Sequence, residues 1–119
     1  MNKRQVGSGR EKLAAAYLKQ RGVRITDCNF RIRQGEIDLI GYDADTLVFF
    51  EVKYRKTAAY GLPQEAVSLK KQMQICRVAA FYRSFHKIEQ VAVRFDVVAI
   101  LGDKIEWIKN AFPDRIGGI

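Results

Sequence analysis

Glu51 and Lys53 stand two residues apart, directly after the apolar run Leu47-Val48-Phe49-Phe50. Successive side chains of a strand point to opposite faces, so Glu51 and Lys53 share one face while Val52 turns to the other and leaves its carbonyl in the edge plane. Asp38 lies in the preceding segment, Glu36 to Ile40, where polar and apolar residues alternate. In an antiparallel hairpin of these two segments, a register that sets Asp38 opposite Phe49 or Glu51 gathers Asp38, Glu51 and Lys53 on one face. Two carboxylates, a backbone carbonyl and waters are the hard-oxygen donors that suit Mg2+ or Mn2+; an adjacent ammonium can neutralise charge growing on a phosphate or orient an attacking water. That is chemistry for phosphodiester hydrolysis. The competing reading is an exposed cross-strand ion pair, which is common and adds little to stability. The apolar run before Glu51 favours the functional reading, because ionisable groups emerging from a core have perturbed proton affinities and cluster at sites.

Further residues are candidates for an outer ring. Glu11 admits two readings, as the N3 partner of Ser8 in a capping box or as a carboxylate aimed at the sheet alongside Ala14, Ala15 and Leu18. Lys71 falls in line with the stripe Val67, Ile75, Val78 and Tyr82, where a lysine either snorkels or reaches a phosphate, helped by the donor and acceptor of Gln72. Glu36 shares the face of Asp38 and is either an outer ligand or a plain partner of Arg31 and Arg33. Arg94 and Asp96 alternate in a later strand and are expected to pair on its polar face. His86, the only histidine, is read as a helix-end residue without chemistry. Tyr17, Tyr54, Tyr60 and Tyr82 could stack on bases, although aromatics in strands and helix stripes usually belong to the core. The basic clusters Arg31-Arg33, Lys53-Arg55-Lys56 and Lys70-Lys71 suit contact with a phosphate backbone.

Elements that position these residues follow from local pattern. Ser8, Glu11 and the Ala-rich run Leu13 to Gln20 predict a first helix near 8–21, stopped by Gly22. Val23 to Arg33 predicts a strand, Gln34-Gly35 a turn, and Glu36 to Ile40 a second strand. Gly41 to Asp45 is read as a turn cluster, closing a hairpin with the β-branched and aromatic segment Thr46 to Tyr54. Thr57 to Pro63 is read as a loop before a long helical stretch that includes Val67 and ends near Ser84. Val91 to Leu101 and Lys104 to Lys109, joined at Gly102-Asp103, predict a last hairpin, and the residues after Pro113 a loose tail. The order is α-β-β-β-α-β-β.

Composition bounds the class. A chain of 119 residues, 48% of them hydrophobic, suits one domain over 1–119 with a single sizeable core. Lys and Arg number 21 against 13 Asp and Glu, a net charge of +8, so the long-range field attracts polyanions, with nucleic acid the leading partner class. Cys28 and Cys76 have no ligand-like spacing to each other or to His86 and are read as reduced thiols. The charged N-terminus is followed by no apolar leader region and the longest apolar stretch, Val97 to Leu101, is too short to span a bilayer, so a cytoplasmic protein without membrane partners is expected.

Several motifs together carry a resemblance: Gly9-Arg10-Glu11 with Ala14 to Leu18, Gly35-Glu36-Ile37-Asp38-Leu39-Ile40, Phe49-Phe50-Glu51-Val52-Lys53-Tyr54-Arg55, Glu65-Ala66-Val67 with Lys71-Gln72, Arg94 to Val98, and Asn110-Ala111-Phe112. In these the chain resembles the bacterial YraN family of uncharacterised proteins, similar in turn to archaeal Holliday junction resolvases and other restriction-endonuclease-like (PD-(D/E)xK) nucleases. Ile37 stands where the wider superfamily often has proline. The resemblance implies a restriction-endonuclease-like α/β core, a mixed central sheet flanked by helices, with Glu11, Asp38, Glu51 and Lys53 as the active site and Lys71 or Gln72 as a further contributor.

The resulting expectation is a Mg2+ (or Mn2+) dependent endonuclease acting on DNA, with branched recombination or repair intermediates as substrates. Asp38, Glu51 and the Val52 carbonyl would hold the metal, Lys53 would orient water, and Glu11 would complete the shell or bind a second ion. Lys71, Gln72, Arg55, Lys56, Arg31 and Arg33 would contact nucleic acid. Junction resolution takes two symmetric cuts, which suits a homodimer. The rivals are a nucleic-acid-binding accessory that does not cut, and a protein–protein adaptor with solvated charges.

Overall fold

The third strand is the spine of the molecule, and its sequence says why. Leu47, Val48, Phe49 and Phe50 are all buried, a continuous apolar run of the kind a strand needs when both faces of its sheet are covered. A computed structural model describes residues 9–55 and 67–116 of the chain. In it β1 (Arg24–Ile32), β2 (Gly35–Asp43), β3 (Thr46–Arg55), β4 (Val93–Leu101) and β5 (Lys104–Phe112) form one five-stranded sheet in the order β1-β2-β3-β4-β5. The sheet is mixed: β3 and β4 run parallel, and every other pair is antiparallel. Helices α1 (Gly9–Gln20) and α2 (Leu69–Phe85) cover opposite faces, giving the predicted order α-β-β-β-α-β-β.

Alternation along β3 divides the core. Leu47 and Phe49 pack with Ile75, Val78, Ala79 and Tyr82 of α2, whereas Val48 and Phe50 pack with Ala14, Ala15 and Leu18 of α1. Each of the two buried phenylalanines contributes roughly 1.5–3 kcal/mol through burial. The parity rule then fixes Glu51 and Lys53 on the α2 side, two and four residues beyond Phe49. β3 and β4 are parallel neighbours, so the chain between them must cross over the sheet, and α2 makes that crossing.

Four local expectations are corrected. Val67 is buried but precedes the helix: Ser68 is the N-cap of α2, its hydroxyl accepting the Lys71 N–H at 3.1 Å, so the helical stretch starts at Leu69. Gly41 to Asp43 belongs to β2, and only Ala44-Asp45 turns. Glycine is required at 41 because β1 bulges between Ile25 and Asp27, and a Cβ on Gly41 would lie 2.6 Å from the Arg24 carbonyl oxygen. Strand β5 extends three residues beyond Lys109, to Phe112. The residues after Pro113 are not all loose, since Arg115 donates from its backbone to Cys76 Sγ at 3.3 Å and from Nε to Gln72 Oε1 at 3.0 Å. Ser8 of the capping box, Lys56, Tyr60 and the loop over Thr57 to Pro63 lie outside the described residues.

Candidate active site

At the end of β2 nearest its start, the strand loses its regular alternation. Leu39 faces the α1 core, yet Ile37 and Ile40 both face the α2 core, so the two-residue period breaks around Asp38. The β2–β3 ladder runs from Asp43↔Thr46 to Leu39↔Phe50; continued by one step it sets Asp38 across from Glu51. Past Leu39 the Asp38 carboxylate reaches over, its Oδ2 accepting the Val52 backbone N–H at 2.8 Å. The three side chains converge as predicted, Asp38 tied to β3 by the Val52 N–H and next to Glu51, and Lys53 beside Glu51, although the ladder itself ends at Leu39↔Phe50.

Glu51 is only 5% exposed. Its Oε2 lies 3.5 Å from Lys53 Nζ and 4.0 Å from Lys71 Nζ, close enough for charge attraction and too far for short hydrogen bonds. Lys71 reaches it from the first turn of α2, one turn before Ile75 seats the helix on the sheet. Asp38 has the opposite surroundings. Burial first, and then the negative charge of Glu51, push its carboxyl from an ordinary 3.8 up to about 8, against the pull of the Val52 N–H; Glu11 adds to the upward push. Two acidic side chains thus share one site, and the charge of Glu51 makes ionisation of Asp38 harder.

Glu11, in the first turn of α1, sits on the sheet side as one of its two readings holds. Its Oε1 accepts a 2.6 Å hydrogen bond from Asn29 Nδ2, which also donates to Glu36 Oε2 at 3.1 Å. Asn29 is thus a bridge between α1 and the β1–β2 hairpin that residue spacing did not reveal. The only local signal was its type, since Asn tolerates the φ of 54° found here. Glu36 Oε1 pairs with Arg31 Nη2 at 3.1 Å, the simple ion pair among its two readings. Arg31 is half exposed and Arg33 stands exposed at the hairpin turn. Arg55 closes β3 with Nη1 3.4 Å from the Tyr54 carbonyl. Gln72 ties the Val67 carbonyl and Arg115 through its two amide atoms.

Other candidates fall outside this cluster. Asp96 is fully buried, not on a polar face: Phe50 is its β3 neighbour, and its oxygens accept from Arg94, Trp107 Nε1 and the Asn110 backbone N–H. Its carboxylate fills the irregularity where β4 and β5 shift register. Tyr82 is core, 4% exposed and edge-on to Phe30 and Phe49. Its hydroxyl donates to Asp27, and burial together with that bond pushes its proton affinity up to about 12. Tyr17 and Tyr54 lie under the guanidinium groups of Arg21 and Arg10. His86 caps the C-terminus of α2, as its position predicted.

Fold and site together define a small α/β protein with a mixed five-stranded sheet and a close pair of acidic side chains, flanked by lysines, at the end of its central strand. The chain belongs to the family described as "Uncharacterised protein family UPF0102", whose model matches residues 10–100, in line with the YraN-type resemblance of the motifs. A UPF0102 protein of Syntrophus aciditrophicus is 48% identical over 111 residues, covering 90% of this chain and 87% of its own. One of Alkaliphilus oremlandii is 47% identical over 118 residues, covering 94% and 100%. One of Geobacter sulfurreducens is 49% identical over 107 residues, covering 86% and 84%. Among the described residues no helix is long and apolar enough to cross a membrane.

Proposed function

We propose that the protein is a metal-dependent endonuclease with a restriction-endonuclease-like core, hydrolysing phosphodiester bonds in DNA, with branched recombination or repair intermediates as its substrates. The observation that carries this reading is the Asp38–Glu51 pair: two carboxyl groups held together at the end of a buried strand, with the proton affinity of Asp38 raised by burial first and then by the charge of Glu51. A divalent cation would relieve that repulsion. Among the described residues no group of three or more His, Cys, Asp or Glu is arranged to hold a metal. The carboxylates of the proposed site are therefore these two alone, without Glu11 as a third ligand; Mg2+ is commonly held by one or two carboxylates, with water and substrate phosphate completing its shell.

Asp38 and Glu51, with the Val52 carbonyl, would hold Mg2+ or Mn2+. The ion when bound supplies Lewis acidity and a water of lowered proton affinity. Lys53, anchored by Glu51, would orient the attacking water and offset charge on the phosphate. Lys71 approaches the same carboxylate from α2 and would hold a phosphate oxygen. Glu11 adds negative potential beside Asp38 and is fixed by Asn29. The net charge of +8 supplies the attraction for a polyanion.

Incubation of a labelled branched duplex with the full chain in Mg2+ or Mn2+ tests the reading. Cleavage is expected, and its loss in the Asp38→Ala variant and in excess chelator. Cleavage that persists unchanged under either condition overturns it. Salt-dependent binding with no turnover would identify an accessory module instead, and no binding at moderate salt an adaptor.

A further inference from the structure

Lys70, Gln74, Arg77, Phe81 and Phe85 recur along α2 at spacings of three and four, which aligns them as one stripe. The stripe faces the edge of the sheet at β1. Gln74 Nε2 donates to the Gln34 carbonyl at 2.8 Å, and the Phe81 ring centre is 6.4 Å from that of Phe30. Its two halves differ in chemistry. The N-terminal half borders an open groove of about 440 Å³ lined, among the described residues, by Gln34, Ser68, Lys70, Lys71, Gln74 and Arg77, none of them acidic. The C-terminal half presents Phe81 and Phe85, 46% and 67% exposed, their rings 6.0 Å apart and within 8° of parallel.

Exposed aromatic rings on a helix ordinarily call for a partner, and the charges here say which. Helix α2 carries Lys70, Lys71, Arg77 and Arg83 and not one Asp or Glu, so the matching surface is a polyanion. A duplex keeps its bases stacked inside and gives exposed rings nothing to stack on. Single strands are bound by another combination, a positive groove for the backbone followed by aromatic rings for the bases. Lys71 connects the stripe to the acidic pair, its Nζ being 4.0 Å from Glu51. From Lys70 to Phe85 the helix rises about 22 Å, room for several nucleotides.

The geometry points to this stripe as a track for a single-stranded segment of nucleic acid, its backbone held by Lys70 and Arg77 and its bases stacked on Phe81 and Phe85. The inference rests on the nuclease reading only in naming the substrate class, a duplex with an unpaired arm that leaves the cleft past Lys71.

Fluorescence anisotropy of the full chain in excess chelator, where cleavage plays no part, tests it with a labelled oligodeoxythymidylate, an oligouridylate and a blunt duplex of equal length. Phe81→Ala/Phe85→Ala is expected to weaken single-strand binding about tenfold or more and to leave duplex binding within about twofold, with Phe81→Trp/Phe85→Trp restoring affinity. Lys70→Ala/Arg77→Ala is expected to flatten the salt dependence of single-strand binding, with a log–log slope smaller by about 1.4. The two oligonucleotides show which sugar the track accepts. Unchanged single-strand affinity, or equal losses for single strand and duplex, overturns the track; so does a dimer that the alanine pair converts to monomer in sedimentation, since the rings would then be a subunit interface. Metal-dependent cleavage that survives such a failure leaves the nuclease reading standing. Single-strand binding as expected, with no substrate cut, removes the nuclease reading alone.

Discussion

Two acidic sites interrupt this sheet, and they are built on opposite terms. At the β4–β5 irregularity, Asp96 is fully buried and receives donors from every side: Arg94 Nε at 2.9 Å, Arg94 Nη2 at 2.9 Å, Trp107 Nε1 at 2.8 Å and the Asn110 N–H at 2.8 Å. Arg94 also binds Asp43 Oδ2 at 2.8 Å, and this bond holds the Asp43 carboxyl below its ordinary range. At the β2–β3 break, Asp38 has the Val52 N–H and a second carboxylate for company, and the lysines beside Glu51 stand off at 3.5 and 4.0 Å. A buried carboxylate whose lone pairs are all matched locks the fold in place. One buried beside a second carboxylate holds its proton more tightly, which is the feature that the proposed metal site would use.

Removing a partner from the matched site is expected to give the largest change. Arg94→Ala leaves the buried Asp96 carboxylate without its positive partner, with only the neutral donors Trp107 Nε1 and the Asn110 N–H, and urea denaturation should show a loss of about 3–5 kcal/mol; a loss below about 1 kcal/mol would erase the contrast. In the unmatched site the cost should fall on chemistry instead. Glu51→Gln is expected to lower metal-dependent cleavage by about 10²–10³-fold, with a melting temperature equal to or above that of the wild type because the repulsion with Asp38 is gone.

Metal should distinguish the sites next. Mg2+ at a hundred times its dissociation constant is expected to stabilise the wild type by about 2.7 kcal/mol, and to do nothing for the melting temperature of Asp38→Asn. Equal stabilisation of both would place the ion elsewhere.

Smallest per unit step is a slope with pH, and its sign differs between the regions. Asp38 has its proton affinity raised in the folded state, from 3.8 to about 8. Between those values the native state keeps a proton that the unfolded chain has lost, so without metal the stability from this group is complete below pH 3.8 and fades as pH climbs through about 8. The slope is at most about 1.4 kcal/mol per pH unit, and the difference in stability between the wild type and Asp38→Asn isolates it. Asp43 is lowered, so its contribution is present above the ordinary carboxylate range and disappears on acidification; Asp43→Asn should reduce the loss of stability in acid. A wild-type curve parallel to that of Asp38→Asn from pH 4 to 8 would show that Asp38 ionises normally, and the contrast would fall with it.

How far residue order alone reached depended on distance along the chain. Asp38, Glu51 and Lys53 could be brought together on paper because they occupy neighbouring strands joined by a short turn, and the period of two leaves few arrangements. The helix over Gly9–Gln20 and the final hairpin were legible for a similar reason, since capping, glycine position and β-branched runs act within a few residues. Gly41 misled because a glycine needed for close backbone approach to β1 looks, in sequence, like one needed for a turn. Val67 misled because its burial continues the spacing of the helix stripe although Ser68 begins the helix after it.

The amino-acid order by itself determined the succession of elements, the two-faced burial of β3 and the shared face of its charged end, all consequences of backbone geometry and local hydrophobic period. Only the tertiary fold decided that Asp96 would be sealed among matching donors, that Asn29 would join Glu11 to Glu36, and that Lys71 would descend from α2 onto Glu51. The contacts of Asn29 with Glu11 and of Lys71 with Glu51 join a helix to the sheet across 18 and 20 residues, whereas those of Asn29 with Glu36 and of Trp107 with Asp96 lie within hairpins, at a residue of positive φ and at a register shift that break the period of two. Whether a charged side chain ends up compensated or not is settled there, because compensation depends on which groups packing brings within a few ångströms, and no repeat in the sequence encodes that distance.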